Sequence, residues 1–378
     1  MIKFFESTDA GAPTLNNAVG SMIAVLDACL ITGYNSKAVT SITVTSGVAT
    51  VVCTGHGYAN TYGKKIRIAG ATPAGLNVDT DIADVTTNGF TFLCPGVADG
   101  AATGTLTAKY APLDCIKQYT GTNKAMYKRS NVTATACMLR IDDNVVGQSC
   151  RALMVNSATD VDTYTGPAPL GAQIADGLGQ YWSKGYNSAS AAGWYIVADE
   201  LYFYLFVQSY SASPGSMPHS FGDIIDFKPA SVLGCTLAGP SSVGSYLDYA
   251  YYAANSGVPS WLIAGAKDGI STSKQIQLEG RVANYGFSGP TYPSDVDGGL
   301  VIQYPALIKE GTTPDVHLRG IQPGWAMPLA KIDTAIPNKT QISNLVGSPR
   351  TFLVAQCSTG PGQATHMVGL IDLTGPWR

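Results

Sequence analysis

Val39-Thr40-Ser41-Ile42-Thr43-Val44-Thr45-Ser46-Gly47-Val48-Ala49-Thr50-Val51-Val52-Cys53 holds two short runs rich in β-branched residues around a Ser46-Gly47 turn. Branched side chains pack well on a pleated surface, and the interrupted pattern is that of a β-hairpin. His56-Gly57 and Tyr62-Gly63 punctuate the chain before a third run, Lys65-Ile66-Arg67-Ile68-Ala69. The loop Gly70-Ala71-Thr72-Pro73-Ala74-Gly75 leads into Leu76-Asn77, and Asn88-Gly89 separates two further strand candidates, residues 80–85 and 90–93. Residues 39–109 therefore read as a compact, inserted β module. Cys53 and Cys94 each close one of its strands, so the two thiols are candidates to face each other.

Outside the module the reading stays mainly β, with one exception. From Thr14 to Leu30, Leu15, Val19, Met22, Ile23, Leu26 and Leu30 recur at three- and four-residue spacing, which gives one apolar face of an amphipathic helix. Thr14 or Asn16 is placed to cap it, Pro13 suits its entry and Gly33 its end. A one-sided stripe needs a core, and the region after residue 110 supplies one. The expected organisation is residues 1–38 as an N-terminal helix segment of the main domain, 39–109 as the inserted module, and 110–378 as the β-rich main domain. Its centre is the pair Trp194–Ala198 and Leu201–Val207, a hairpin turned by Asp199-Glu200. The unbroken apolar character of both runs predicts burial on both faces.

Charged residues make up 13% of the 378, against roughly 25% in an ordinary soluble protein. The usual mass scaling gives a folded monomer of this size roughly 14,000 Å² of surface, hence about one charge per 290 Å², near half the usual density. Such a surface suits coverage by partners. Net charge is −3 with no basic run, which argues against nucleic acid as a partner. No apolar stretch approaches the length of a membrane span. The start Met1-Ile2-Lys3-Phe4-Phe5-Glu6 does not read as a secretory signal, because an acid follows the apolar residues. Synthesis and folding in a cytoplasm are expected. The eight cysteines form no Cys-x-x-Cys pair, so buried free thiols are expected rather than a zinc ribbon or redox motif.

Few residues are available for catalysis. A hydrolytic triad needs a histidine, and only His56, His219, His317 and His366 exist, without a Gly-x-Ser-x-Gly elbow. Cys53 and His56 have metal-like spacing but no second pair to complete four ligands. Acid pairs could cleave a glycan. The pairs are Asp199/Glu200, Asp295/Asp297, Asp160/Asp162 and Asp223/Asp226, and turn or loop placement explains them; Asp199 and Glu200 are expected to be solvated. The expectation is no catalytic residue, no metal and no cofactor. Tyr246, Tyr249, Tyr251 and Tyr252, with Trp261 nearby, form the densest aromatic window and the candidate contact surface, for another subunit or for sugar rings.

Several stretches together carry a family resemblance. They are the opening Phe4-Phe5-Glu6-Ser7-Thr8-Asp9-Ala10-Gly11-Ala12-Pro13-Thr14-Leu15, the 39–109 module, Gly121-Thr122-Asn123-Lys124-Ala125 with Tyr127, and Val197-Ala198-Asp199-Glu200 with Tyr204-Leu205. In these the chain resembles structural proteins of tailed-bacteriophage virions. The resemblance implies that the 39–109 module is a small Ig-like β-sandwich, that His56 has a structural role in it, and that the chain is a non-enzymatic virion component. Such a protein assembles in the host bacterial cytoplasm and works as a homo-oligomer with other virion proteins, in the tail, baseplate or neck. Capsid decoration or fibre protein is the nearest alternative, and a host-surface glycan-binding adhesin the rival from another class.

Overall fold

In a computed structural model the structure describes residues 1–169, 174, 176–185, 189–208, 215–227, 234–240, 261–264, 276–279, 293, 298–310, 317–328, 332, 335–343, 345, 348–358 and 366–378. Among the described residues the fold is mainly β, built of antiparallel sheets, with one short helix near the N-terminus and a 3-10 turn at Ala74–Leu76.

The predicted hairpin does lie at the centre. A six-stranded sheet runs in the order Lys3–Glu6, Trp194–Ala198, Tyr202–Val207, Met217–Asp223, Cys235–Pro240 and Trp261–Ala264. Because successive strand residues point to opposite faces, the continuous apolar runs divide between two cores. Trp194, Ile196, Ala198, Phe203, Leu205 and Val207 enter one, while Tyr195, Val197, Tyr202, Tyr204 and Phe206 enter the other. The N-terminal strand is split the same way, Phe5 to the first core and Phe4 to the second. Each fully buried side chain of this size stabilises by about 1.5–3 kcal/mol.

On the first face packs a five-stranded meander of Ile116–Gly121, Lys124–Lys128, Met138–Asp142, Ser149–Val155 and Gln180–Ser183. It contributes Tyr127, Leu139, Ile141, Met154 and Trp182 to the shared core. On the second face packs a C-terminal sheet whose centre pairs Phe352–Ser358 with His366–Asp372. This sheet supplies Trp325, Met327, Leu353, Ala355 and Ile371. The result is three stacked layers, an arrangement that buries every apolar sheet face.

Residues 34–110 form two facing sheets. One orders Tyr34–Ala38, Thr107–Tyr110, Lys65–Ala69 and Asp79–Asp81; the other Val85–Thr86, Gly89–Leu93, Val48–Val52, Ser41–Thr45 and Gly100–Ala101. Ile42, Val44, Ala49, Val51, Phe90 and Phe92 from one and Ile66, Ile68 and Ala108 from the other meet in a core that is continuous with the first core of the central sheet. Tyr34–Ala38, ahead of residue 39, is an edge strand of this sandwich.

The helix is shorter and begins later than its apolar spacing predicts. It runs as an α-helix over Ser21–Leu26 and continues as a π-helix over Asp27–Thr32. Leu15 instead lies in an isolated bridge to Ala192, and Val19 is 41% exposed. Neither Thr14 nor Asn16 caps it; Asn16 accepts from the Ala18 N–H in a local turn. The cap comes from far along the chain, where Asp143 Oδ2 accepts the Met22 N–H at 2.9 Å. Gly33 ends the helix as expected, at φ 71°, where a Cβ would stand 2.4 Å from the Tyr110 carbonyl oxygen.

Two further expectations need correction. The hairpin turn is shifted by one residue: Asp199 N–H bonds to Tyr202 O, so Glu200-Leu201 is the tip. Cys53 and Cys94 do not face each other. The register Val48↔Leu93 to Val52↔Gly89 places them past opposite ends of the same strand pair. Six residues of strand then separate their positions, about 20 Å.

Candidate functional site

Each acid pair that lies within the described residues is taken up by its own surroundings. Asp199 is buried rather than solvated, because its Oδ1 accepts the N–H groups of Leu201 and Tyr202 at 2.8 and 2.6 Å and Oδ2 meets Arg378 at 3.3 Å. Glu200 points to solvent. Asp160 accepts the backbone N–H groups of Asp162 and Thr163, which hold its carboxyl below the usual range. Asp162 is lowered by hydrogen bonds from Lys124 and Arg140. Asp223 bonds to Thr135 and Arg129, while Asp226 pairs with Arg319 at 3.2 Å. Apart from the exposed Glu200, the carboxyls of these pairs are thus engaged by backbone N–H groups, hydroxyls or cationic side chains. Asp295 and Asp297 lie outside the described residues.

The His56 ring is fixed by the backbone at both nitrogens. Its Nδ1 accepts the Tyr58 N–H at 2.9 Å, so the proton sits on Nε2, which reaches the Thr86 carbonyl at 2.9 Å. The ring stacks on Tyr58 and meets the edge of Phe90. Both ring nitrogens are thereby used, and the nearby Cys53 thiol points to the Ala38 carbonyl. Among the described residues no cluster of three or more His, Cys, Asp or Glu side chains is placed to hold a metal. His219 is buried against Trp182, accepts the Ser183 N–H at 3.0 Å, and is pushed down to about 3 by burial. The side chains of His317 and His366 lie outside the described set.

Sequence reading missed the charges turned inward. Among the described residues ten charged side chains are buried: Lys3, Lys64, Arg129, Arg140, Asp143, Lys184, Asp199, Asp223, Arg319 and Asp372. Lys184 and Asp143 are both fully enclosed and 2.6 Å apart, and the ammonium also donates to the carbonyls of Ala18 and Val145 at 2.8 and 3.3 Å. Burial drives the Asp143 carboxyl upward, and its bonds to Lys184 and Met22 counter this only in part. Arg129 lies over the Phe221 ring and binds Asp223, the Cys235 sulfur and the Thr135 and Cys137 carbonyls. Beside it the Cys137 thiol is lowered to about 7, chiefly by its hydrogen bond with Cys235, which outweighs burial. No motif announces these residues; alternation in Lys64-Lys65-Ile66 is the one signal, since it puts Lys64 on the face opposite Lys65.

The candidate aromatic surface is only partly in view. Tyr246, Tyr249, Tyr251 and Tyr252 lie outside the described residues. Trp261 opens the strand Trp261–Ala264 at the end of the central sheet, opposite Pro240. Exposed apolar side chains occur elsewhere, in loops: Val132 at 99%, Val145 at 70% and Val146 at 65%.

No protein-family model and no curated protein sequence matches the chain. Among solved structures it is similar, weakly, to a phage phi92 endosialidase, at 12% identity and a TM-score of 0.18, over 90% of this chain. The chain spans about half of that protein, 52% of its length. At such a TM-score the likeness bears on neither fold nor activity.

Proposed function

We propose that this chain is a non-enzymatic structural component of a tailed-phage virion, in the tail, baseplate or neck, acting through contacts with copies of itself and with other virion proteins. The observation that supports it most is the inward turn of charge. The chain has only 13% charged residues, and ten of those among the described residues are buried, which leaves the described surface more neutral than an isolated soluble protein needs. The buried ion pairs Lys64–Asp9 and Lys184–Asp143 hold loops to strands, as a load-carrying part needs. The sequence resemblance to virion proteins supplies the biological setting, and the stacked antiparallel layers suit a mechanical part.

Assembly and catalysis are separable by experiment. Purified full-length protein should form a closed oligomer in mass photometry and release no reducing ends from bacterial surface glycans. A monomer at micromolar concentration that hydrolyses glycan would overturn the proposal. Glycan-array binding without turnover would favour the adhesin reading instead.

A further inference from the structure

Lys64 and the Asp9 carboxyl are buried together beside the half-buried Glu6, and the amine has carboxyl oxygens as its acceptors. Glu6 Oε2 also accepts from Lys339 at 2.8 Å. Lys64 Nζ lies 2.7 and 2.8 Å from the two oxygens of Asp9 and 3.3 Å from Glu6 Oε1. The Lys64 side chain is 0% exposed and that of Asp9 4%. The Phe4 ring covers the amine, 4.1 Å from its centroid. Asp9 is fixed from its other side: Oδ2 also accepts the Glu6 N–H at 2.9 Å and the Tyr34 hydroxyl at 2.6 Å. The two partners are carried on a common frame, since Phe4 N–H bonds to the Gly63 carbonyl and Asp9 N–H to that of Glu6.

We infer that this group is a site of spontaneous covalent modification, an isopeptide bond between Lys64 Nζ and Asp9 Cγ. Two oxygens at these distances place the amine about 3 Å from Cγ, in the range of near-attack contacts. The amine lies close to the carboxyl plane, so attack follows a turn of the carboxyl about its Cβ–Cγ bond. Lys64 gives one proton to Glu6, and the freed lone pair forms the N–C bond. Charge developing on Oδ2 is met by the Glu6 N–H and the Tyr34 hydroxyl, the role of an oxyanion hole. The C–Oδ1 bond breaks, and that oxygen leaves as water with the proton returned by Glu6 and a second from Nζ. Ammonium plus carboxylate thus becomes a secondary amide plus one water, with no oxidant or cofactor. The bond would tie the turn after the first strand of the central sheet to the strand Lys65–Ala69 of the sandwich.

The fully enclosed pair Lys184–Asp143 serves as the internal contrast. There the amine is held by backbone carbonyls besides its one carboxylate, and no second carboxyl lies within its bonding distance among the described residues to take up a proton. It should stay unlinked.

The test is the intact mass of full-length protein, folded, incubated at neutral pH and then denatured. The expected mass is that of the sequence less one water. Trypsin should then yield a branched product joining residues 4–37 to residues 38–65, uncleaved after Lys64. Lys64→Arg should carry its full sequence mass, Asp9→Asn should lose one ammonia instead of water, and Glu6→Gln should link about 100-fold more slowly. Wild-type protein with full sequence mass and normal cleavage after Lys64 would overturn the inference, as would a water loss mapped to any other residue. The wild-type measurement decides even where a variant fails to fold.

Discussion

Replacing Asp143 by Ala removes the carboxylate that both neutralises Lys184 and caps the helix at Met22. Lys184 is 0% exposed, so its ammonium would be left in the interior with carbonyl dipoles alone. Breaking a buried pair from one side costs about 3–5 kcal/mol, and the lost cap lies within that figure. With an unfolding entropy of ~2.1 cal/mol/K per residue over 378 residues, the melting temperature should fall by roughly 4–6 °C. Asp81→Ala supplies the comparison. Asp81 meets Lys65 at 2.5 Å, but its side chain is 66% exposed, and such a pair is worth about 1 kcal/mol or less. A double variant, Asp143→Asn with Lys184→Met, leaves no unpaired charge and should lose less than Asp143→Ala alone. Urea titrations read by tryptophan fluorescence give all three values. If Asp143→Ala and Asp81→Ala cost the same, the interior charges are not the fixed points described above.

Other consequences are open to measurement. His56→Ala leaves the Tyr58 N–H and the Thr86 carbonyl without a partner and should cost about 2–4 kcal/mol; a chelator should leave wild-type melting unchanged, and a chelator-sensitive transition would restore a metal role. Gly33→Ala forces a side chain into a positive-φ position facing the Tyr110 carbonyl and should destabilise by about 1–3 kcal/mol, whereas an unchanged urea midpoint would contradict the close approach. For Asp79, burial works to raise the carboxyl, but hydrogen bonds from Arg67 and Lys3 win and hold it low. Its folded value therefore lies below its unfolded one. That stabilisation is complete above the unfolded value of about 4 and is lost as pH falls through the folded value. Wild type should lose more stability between pH 5 and about 2 than Asp79→Asn, and equal losses would remove Asp79 from the acid response. Seven of the eight thiols are buried and Cys115 is half-buried and pushed up to about 12. A thiol reagent should therefore label native protein slowly and all eight cysteines after denaturation; fast native labelling would contradict the packing.

What could be read in the sequence was local or periodic. The Ser46-Gly47 hairpin and the inward Ile42 and Val44 follow from strand alternation, and the central position of Trp194–Ala198 and Tyr202–Val207 follows from runs too apolar to have a wet face. The helix start was illegible because its cap, Asp143, lies 121 residues from Met22. The turn at Asp199 was misread for a related reason. An acid there looks solvated until its side chain is seen to satisfy two backbone N–H groups. Cys53 and Cys94 were paired by strand ends without the register, which separates them. For Lys64 only the alternation with Lys65 and Ile66 hinted at burial, and its partners were illegible because Glu6 and Asp9 come from the first strand and the turn after it. Tyr246 to Tyr252 remain a sequence-level candidate for contact.

The most direct measurement is the location and contact area of this chain in an electron-microscopy map of the particle. A subunit with two ring neighbours and one axial partner should cover about 2,400 Å² or more, at roughly 800 Å² per contact. The account predicts that value, with contacts through its neutral surfaces. A chain held in the particle through no more than a few hundred Å², or absent from it, would contradict the assembly role.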